Sequence, residues 1–188
     1  MLNPRFIESL RLAPFKLRGI DVNVVLDLMI HDIDIILSIV KSELTEIRAS
    51  GASVLSPYID IANARLEFAN GCVANVTASR INLKMERRLR LFQHDSVIGL
   101  DLDKKTLRIH RKGQREMFPG VPGISREKQH FPKGDALCDQ IDAYLNAIIN
   151  QTEPLVSGED GRRALATAIE ITKLVRQRNE LYPMVETV

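Results

Sequence analysis

The sequence predicts an α+β domain in which a mostly antiparallel, mixed, open β-sheet of six or seven strands carries three main helices on one face. Two observations predict this class. Polar and apolar residues alternate along most of residues 44–111, and apolar residues recur at helical spacing before and after that region. The connections between the alternating runs are too short for crossover helices, which makes the sheet mostly antiparallel. We expect the 188 residues to form a single domain.

The first two elements are a strand and a helix. Residues 6–12 are rich in strand formers and partly alternate, and Pro14 ends the run. Residues 24–40 place apolar side chains at helical spacing, and Asp21 or Asn23 precedes them as a candidate cap. The chain is therefore expected to pass from an initial strand into its first helix.

The region that follows predicts a meander of strands. Asn70 and Gly71 separate two alternating runs, and this pair favours a tight hairpin turn because both residues tolerate a positive φ. Residues 112–134 contain three Pro and four Gly, a composition typical of a long surface loop or flap. The predicted strands cover residues 44–49, 58–68, 72–79, 87–92, 96–102 and 106–111.

Two helices are predicted after this loop, over residues 135–151 and 159–178, with Ser157 as the cap of the second. Helices on one sheet face leave the other face open. The residues expected on the open face are Ala62, Ala64, Ala74 and Val76 or those that alternate with them. Small apolar side chains on an open face are typical of a subunit interface, so we expect a homo-dimer or tetramer through the sheet face.

Composition excludes several classes of protein. Lys plus Arg number 26 against 24 Asp plus Glu, Trp is absent and 5% of residues are aromatic, which argues against a nucleic-acid partner. The densest apolar stretch, residues 22–40, is interrupted by charged and polar residues, which excludes a membrane span. Cys72 and Cys138 lie far apart in mostly apolar surroundings, which favours a reduced, cytoplasmic protein.

The strongest indication of chemistry lies in the first predicted helix. At about 100° per residue, one narrow stripe of this helix holds Asp27, His31, Asp34 and Ser38. Asp27 and His31 are four residues apart, so the carboxylate can orient the imidazole and raise its basicity. A histidine held in this way is suited to accept a proton in alcohol oxidation and to return it in the reverse reaction.

Other interpretations of the polar residues remain open. His31 can be an ordinary core or interface histidine that Asp27 or Asp34 satisfies. His31 and Asp34 can also ligate a metal, but nothing nearby in the sequence completes a ligand set, so no metal site is predicted. A separate basic cluster can meet the diphosphate of a sugar nucleotide or be a solvated charge run; it consists of Lys84, Arg87, Arg88 and Arg90.

Three segments resemble one family of enzymes. Residues 24–34 are similar to the Asp-x-x-x-His segment in the second domain of the glucose-fructose oxidoreductase and inositol dehydrogenase family, called Gfo/Idh/MocA. Residues 60–80 resemble the sheet strands of that domain, and residues 154–161 resemble the link before its last helix. Within the family, the sequence around His31 and residues 78–80 is most similar to nucleotide-sugar 3-dehydrogenases that act on UDP-N-acetylglucosamine.

The resemblance implies roles for four residues. Asp27 and His31 take the two catalytic positions that this domain contributes, with His31 as the acceptor of the proton from the substrate hydroxyl. Asp34 and Arg80 are implied to bind substrate. The domain as a whole is implied to serve substrate binding and oligomerisation in an NAD(P)-dependent oxidoreductase that acts on a sugar or nucleotide-sugar hydroxyl.

The implied cofactor of the complete enzyme is NAD or NADP. This sequence contains no Gly-x-Gly-x-x-Gly turn and no Glu-Lys-Pro segment with the family's catalytic lysine. We therefore expect neither cofactor binding nor hydride transfer by this chain alone, and a separate Rossmann-domain chain is a candidate partner. The alternative function is that of a non-enzymatic module, derived from the same domain, for oligomerisation or sugar-nucleotide binding.

Overall fold

The structure, a computed structural model, describes residues 2–16, 19 and 21–182. The α+β class and the mixed, mostly antiparallel open sheet are confirmed, and the sheet formed by these residues has eight strands rather than six or seven. The strands are β1 (Phe6–Leu12), β2 (Leu44–Ala52), β3 (Ile61–Phe68), β4 (Val73–Ser79), β5 (Glu86–Phe92), β6 (Ser96–Asp101), β7 (Thr106–Phe118) and β8 (Val121–His130). The helices are α1 (Ile30–Val40), which follows a π-helical turn (Val25–Met29), α2 (Ala136–Ile149) and α3 (Gly158–Leu181).

The first strand lies in the middle of the sheet. The strand order is β2-β3-β4-β1-β5-β6-β7-β8. β1 pairs with β4 in parallel, and the other neighbouring strands pair antiparallel. One parallel pair is expected where a helix connects β1 back to the same sheet, because parallel strands need a crossover connection.

The segment predicted as a loop, residues 112–134, instead forms the second half of β7, all of β8 and their turn. The turn is made at Gly120, whose φ is +77°. The side chains of this hairpin are nearly all exposed. Its sequence therefore lacks the alternation of apolar and polar residues by which a half-buried strand is recognised. Pro122 is tolerated because β8 is an edge strand, whose outer backbone groups need no partner in the sheet.

The hydrophobic core lies between the sheet and the two helices α1 and α3. Ile33 and Ile36 of α1, Ile171 of α3, and Leu66 and Val76 of the sheet are fully buried in one cluster. Burying an aliphatic side chain of this size contributes about 1.5–3 kcal/mol. The core therefore holds α1 against β1 and β4 and α3 against β2, and both of these helices lie on the same face of the sheet.

The open face is polar where it was expected to be apolar. Ala62, Ala64, Ala74 and Val76 lie on the helix-covered face and are fully buried. Their alternates form the open face, where the side-chain amide of Asn63 donates to the Thr77 hydroxyl at 2.8 Å and Arg65 pairs with Glu67 at 2.8 Å. The small side chains thus allow the helices to pack closely on the sheet. A subunit interface on the open face would have to be polar.

The start of the first helix differs from the regular α-helix predicted over residues 24–40. Asn23 is the cap, and its side-chain oxygen accepts two backbone N–H groups of the π-helical turn at 3.0 and 3.1 Å. The regular α-helix begins one turn later, at Ile30. Within it, buried Asp32 accepts hydrogen bonds from Arg11 of β1, which ties the helix to the sheet.

The helix α2 is exposed along nearly its whole length. Asp135 caps it, and Ala147 is its buried residue. The apolar residues that recur at helical spacing along this helix face solvent; they are Leu137, Ile141, Tyr144, Leu145 and Ile148. Neither α2 nor any other helix in the described part of the chain has the length and hydrophobicity required to cross a membrane.

Candidate functional site

The predicted polar stripe lies on the edge of the first helix that is turned away from the core. Asp27 belongs to the π-helical turn, and His31, Asp34 and Ser38 follow in α1. The side chains of Asp27, His31 and Ser38 are exposed and Asp34 is half-buried. Because the π-helical turn changes the helical phase after Asp27, the spacing from Asp27 to His31 is not that of a regular α-helix.

The side chains of Asp27 and His31 both lie exposed on this edge. Among residues 2–16, 19 and 21–182, neither side chain hydrogen-bonds to another residue, and neither does that of Asp34. The backbone of Gly19 comes close to Asp27: a Cβ on Gly19 would lie 3.9 Å from both carboxylate oxygens, and its φ of +75° favours glycine. The imidazole of His31 is thus accessible, and its predicted orientation by the Asp27 carboxylate is not made in this chain.

A groove continues from this edge towards the third helix. It encloses about 1170 Å³ between α1 and the start of α3. Asp34 and Ser38 line one wall, and Leu155, Val156 and Arg163 line the other. The sequence predicts Asp34 as a site residue but does not predict the second wall. The resemblance of residues 154–161 to a family segment is the signal that points to it. The two walls suit a ligand with both polar and apolar groups.

The N-terminus of α3 closes one end of the groove with its own charges. Ser157 and Asp160 form a capping box, in which each side chain accepts the backbone N–H of the other. Hydrogen bonds from the Ser157 hydroxyl and backbone, together with Arg163, lower the pKa of Asp160 to about 2. This helix N-terminus therefore carries a carboxylate at neutral pH and does not fit a pyrophosphate.

Arg80 lies away from this groove, in a buried polar cluster. Its guanidinium donates to the Asp60 carboxylate at 2.8 Å and to the carbonyl oxygens of Gly19 and Val22 at 3.0 and 2.6 Å. The chain therefore uses Arg80 to hold the loop before α1 against the end of β4. The same loop contains Gly19, which adjoins Asp27, so Arg80 is linked to the predicted catalytic edge through the backbone.

Asp60 is the anion at the centre of that cluster. Burial alone would raise the pKa of Asp60, but hydrogen bonds from the Ser56 hydroxyl, from the Val54 and Leu55 amides and from Arg80 outweigh it and lower the pKa well below its usual range. Asp60 is fully buried and stays ionised. The cluster thus stabilises the segment between β2 and β3 by charge-assisted hydrogen bonds.

The described residues offer neither a metal cluster nor a dinucleotide cradle. No three His, Cys, Asp or Glu side chains come together at metal-binding distance in that part of the chain. The helix N-termini that the structure describes are capped by Asn23, Asp135 and Ser157, and the sequence has no glycine-rich turn before a helix. The residues present therefore do not fit NAD or NADP.

Comparison with known proteins agrees with the family resemblance seen in the sequence. Residues 15–95 match the family model described as the GFO/IDH/MocA C-terminal domain. The chain is 39% identical over 168 residues to a UDP-N-acetylglucosamine 3-dehydrogenase of Acidithiobacillus ferrooxidans, a match that covers 89% of this chain and 53% of that protein. The chain therefore spans about half the length of the curated relative that it matches.

Solved structures share the fold. UDP-N-acetylglucosamine 3-dehydrogenase from Acidithiobacillus ferrooxidans superposes with a TM-score of 0.87 at 38% identity, over 94% of this chain and 56% of that one. Levoglucosan dehydrogenase in complex with NADH and L-sorbose superposes with a TM-score of 0.75 at 14% identity, over 93% of this chain and 57% of that one. Because the sequence identity to levoglucosan dehydrogenase is 14%, this second similarity shows a shared fold and nothing more.

Proposed function

The chain belongs to the GFO/IDH/MocA oxidoreductase family, in which it corresponds to the C-terminal domain, and on that premise we propose that it is the substrate-binding and oligomerisation domain of an NAD(P)-dependent dehydrogenase. The proposed substrate is a sugar or nucleotide sugar, with the 3-hydroxyl of UDP-N-acetylglucosamine as the specific candidate, since a relative of that name is 39% identical. The observation that carries the proposal is the accessible edge of α1 beside a groove of about 1170 Å³.

His31 is the proposed proton acceptor. Its imidazole is exposed and has no protein partner in the described part of the chain, so a ring nitrogen is available to a substrate hydroxyl. A carboxylate at Asp27 favours the protonated ring that results, provided that the substrate or a covering element brings the two side chains together. Asp34 borders both this edge and the groove, which supports its proposed role in substrate binding.

The cofactor is proposed to be NAD or NADP held by another part of the complete enzyme, because the residues of this chain do not fit it. When bound, the nicotinamide supplies the acceptor for the substrate hydride. The isolated chain should therefore show no binding in calorimetric titration with NADH or NADPH. Micromolar binding of either dinucleotide to this chain would overturn the assignment of cofactor binding to another part of the enzyme.

The deciding experiment joins this chain to a part that can bind the cofactor. This chain is fused to the part of the Acidithiobacillus ferrooxidans relative that precedes the matched region, and NADH formation is followed with UDP-N-acetylglucosamine. His31→Ala should lower kcat by about 10²- to 10⁴-fold. Its Tm should stay within about 2 °C because the side chain is exposed. His94→Ala, also an exposed histidine, is the matched control and should leave both values unchanged. Unchanged turnover in folded His31→Ala would remove the catalytic assignment.

The alternative is a non-enzymatic module for oligomerisation or sugar-nucleotide binding. It is favoured by the absence of a hydrogen bond between Asp27 and His31 among the described residues. A fusion that binds UDP-N-acetylglucosamine but forms no NADH would support this alternative. Sedimentation should give a dimer or tetramer in either case, and a 21.2 kDa monomer would remove the oligomerisation part of both proposals.

A further inference from the structure

A buried ion pair lies between the start of α1 and the sheet. The guanidinium of Arg11, on β1, donates from Nε and Nη2 to the two carboxylate oxygens of Asp32 at 2.5 and 3.2 Å. Arg11 is 7% exposed and Asp32 is 3% exposed. Two hydrogen bonds between planar groups fix the angle as well as the distance between the elements that carry them. The pair therefore links the first turn of α1 to the middle of the sheet in one orientation.

His31 is the neighbour of Asp32 in the chain, and its side chain points in a different direction. Successive residues of an α-helix are about 100° apart around the axis. While the Asp32 carboxylate is held against the sheet, the His31 side chain is directed to the exposed edge, where the structure has it. The ends of helical side chains lie about 5–6 Å from the axis, so a rotation of α1 by about 10° would move the imidazole by about 1 Å.

The other contacts of α1 determine this rotation less sharply. The remaining buried residues of the helix are Ile33, Ile36 and Val40, and hydrophobic contacts have no preferred direction. The π-helical turn before α1 interrupts the regular helical phase. Within the described part of the chain, Asp32 is the residue of α1 whose side chain hydrogen-bonds to another element of the fold. The orientation of His31 therefore depends on this one directional contact.

We propose that the Arg11–Asp32 ion pair positions His31 for proton transfer, an inference that rests on the proposed role of His31 as proton acceptor. Both members of the pair are buried, so they act through His31 and not by contact with substrate. A misplacement of about 1 Å can lower a rate about 100-fold. Arg11 and Asp32 are thus positioning residues of the candidate site.

Stability alone is a weak reason for a buried ion pair. The loss of hydration offsets much of the attraction between the charges, and apolar residues of similar size often give equal or greater stability. Arg11 also lies opposite Arg87 of β5 in the sheet register, which places a like charge on the same face. Apolar cores accept changed side chains and lose a unique arrangement before they lose stability. The ion pair supplies the direction that apolar packing lacks.

The test replaces the pair by apolar side chains of similar size in the double variant Arg11→Met/Asp32→Leu, which leaves the net charge near His31 unchanged. The Tm of the full chain should stay at or above that of the wild type. In the fused enzyme, kcat with UDP-N-acetylglucosamine should fall about 100-fold with little change in KM. Ile33→Val is the matched control, because it shortens a buried side chain of α1 without touching the pair; it should lower the Tm and leave kcat unchanged.

A second comparison shows whether the effect passes through His31. In the His31→Ala background, the double replacement should lower kcat no further, because a positioning effect disappears with the side chain that is positioned. An equal further loss in that background would overturn the proposal. If His31→Ala keeps wild-type turnover, the proposed function itself fails. If His31→Ala loses turnover but the double variant keeps wild-type kcat, positioning fails and the catalytic assignment stands.

NMR spectra of the full chain give a readout that needs no cofactor. The amide signals of residues 37–40, one turn or more beyond the replaced aspartate, should be displaced or doubled in the double variant. Single signals at the wild-type positions would show that α1 sits identically without the pair and would overturn the proposal. Should the double variant not fold, Arg11→Lys replaces it. Lys keeps the charge but not the two-pronged contact, so kcat should fall about 10-fold, and an unchanged kcat would contradict the proposal.

Discussion

Replacement of Arg80 by alanine separates a structural role of this residue from a role in substrate binding. Arg80 is 5% exposed, and its side chain makes hydrogen bonds of 2.6 to 3.0 Å to Asp60, Ser56, Gly19 and Val22. A substrate could reach this guanidinium only after some of these bonds break. We therefore expect Arg80→Ala to act first on stability.

The size of the effect follows from the surroundings of Asp60. Removing one partner of a buried ion pair costs about 3–5 kcal/mol because it leaves an unpaired charge. Asp60 keeps three backbone N–H donors and the Ser56 hydroxyl in the variant, which places the expected loss near the lower limit. A loss of about 3 kcal/mol lowers the Tm of a protein of this size by about 6–12 °C.

Thermal and urea unfolding of the wild type and Arg80→Ala measure this loss directly. Arg65→Ala is the matched control, since Arg65 pairs with Glu67 on the open face with about two-fifths of its side chain exposed, and its loss should be at most about 1 kcal/mol. Arg80→Ala with a wild-type Tm and a raised KM in the fused enzyme would refute the reasoning and make Arg80 a substrate-binding residue.

Three further predictions concern local packing and charge. Gly51→Ala should cost about 1–3 kcal/mol in urea unfolding, because its Cβ would lie 2.7 Å from a backbone oxygen of β3, whereas Gly158→Ala meets nothing within 4 Å and should be neutral. Iodoacetamide should modify exposed Cys138 well before Cys72, whose thiol pKa is raised by burial; equal rates by mass spectrometry would contradict this burial. The lowered pKa of Asp60 stabilises the fold above the unfolded-state pKa of about 3.9. That stabilisation is lost as the pH falls towards the folded-state pKa, so the difference in unfolding free energy between wild type and Asp60→Asn should narrow below about pH 4.

The sequence predicts those elements in which one face is buried and the other is exposed, because burial then leaves a pattern of apolar and polar residues. β3 and β4 alternate between buried and partly exposed residues, and their predicted positions agree with the structure to within three residues. The β7–β8 hairpin is exposed on both sides, so its formation depends on backbone hydrogen bonds that leave no pattern in the side chains. Its Pro and Gly residues indicated a loop, although at an edge they are compatible with strands.

The candidate site was also only partly predictable from the pattern of residues in the sequence. Helical spacing placed His31 and Asp34 on the polar edge of the first helix, where the structure has them. It did not indicate the π-helical turn that contains Asp27 and in which Val25 and Met29 are buried. Nor did spacing predict the second wall of the groove, which comes from residues more than 100 positions later in the chain.

The exposure of His31 determines what its chemistry requires. An imidazole in water is a proton acceptor like any other surface histidine, and a positioned base gains its advantage when water is excluded and the substrate is held at hydrogen-bond distance. The described residues place the groove beside this edge but nothing over it. If His31 is the proton acceptor, turnover requires an additional element that covers this edge of α1, and the fusion experiment tests whether the added part of the enzyme provides it.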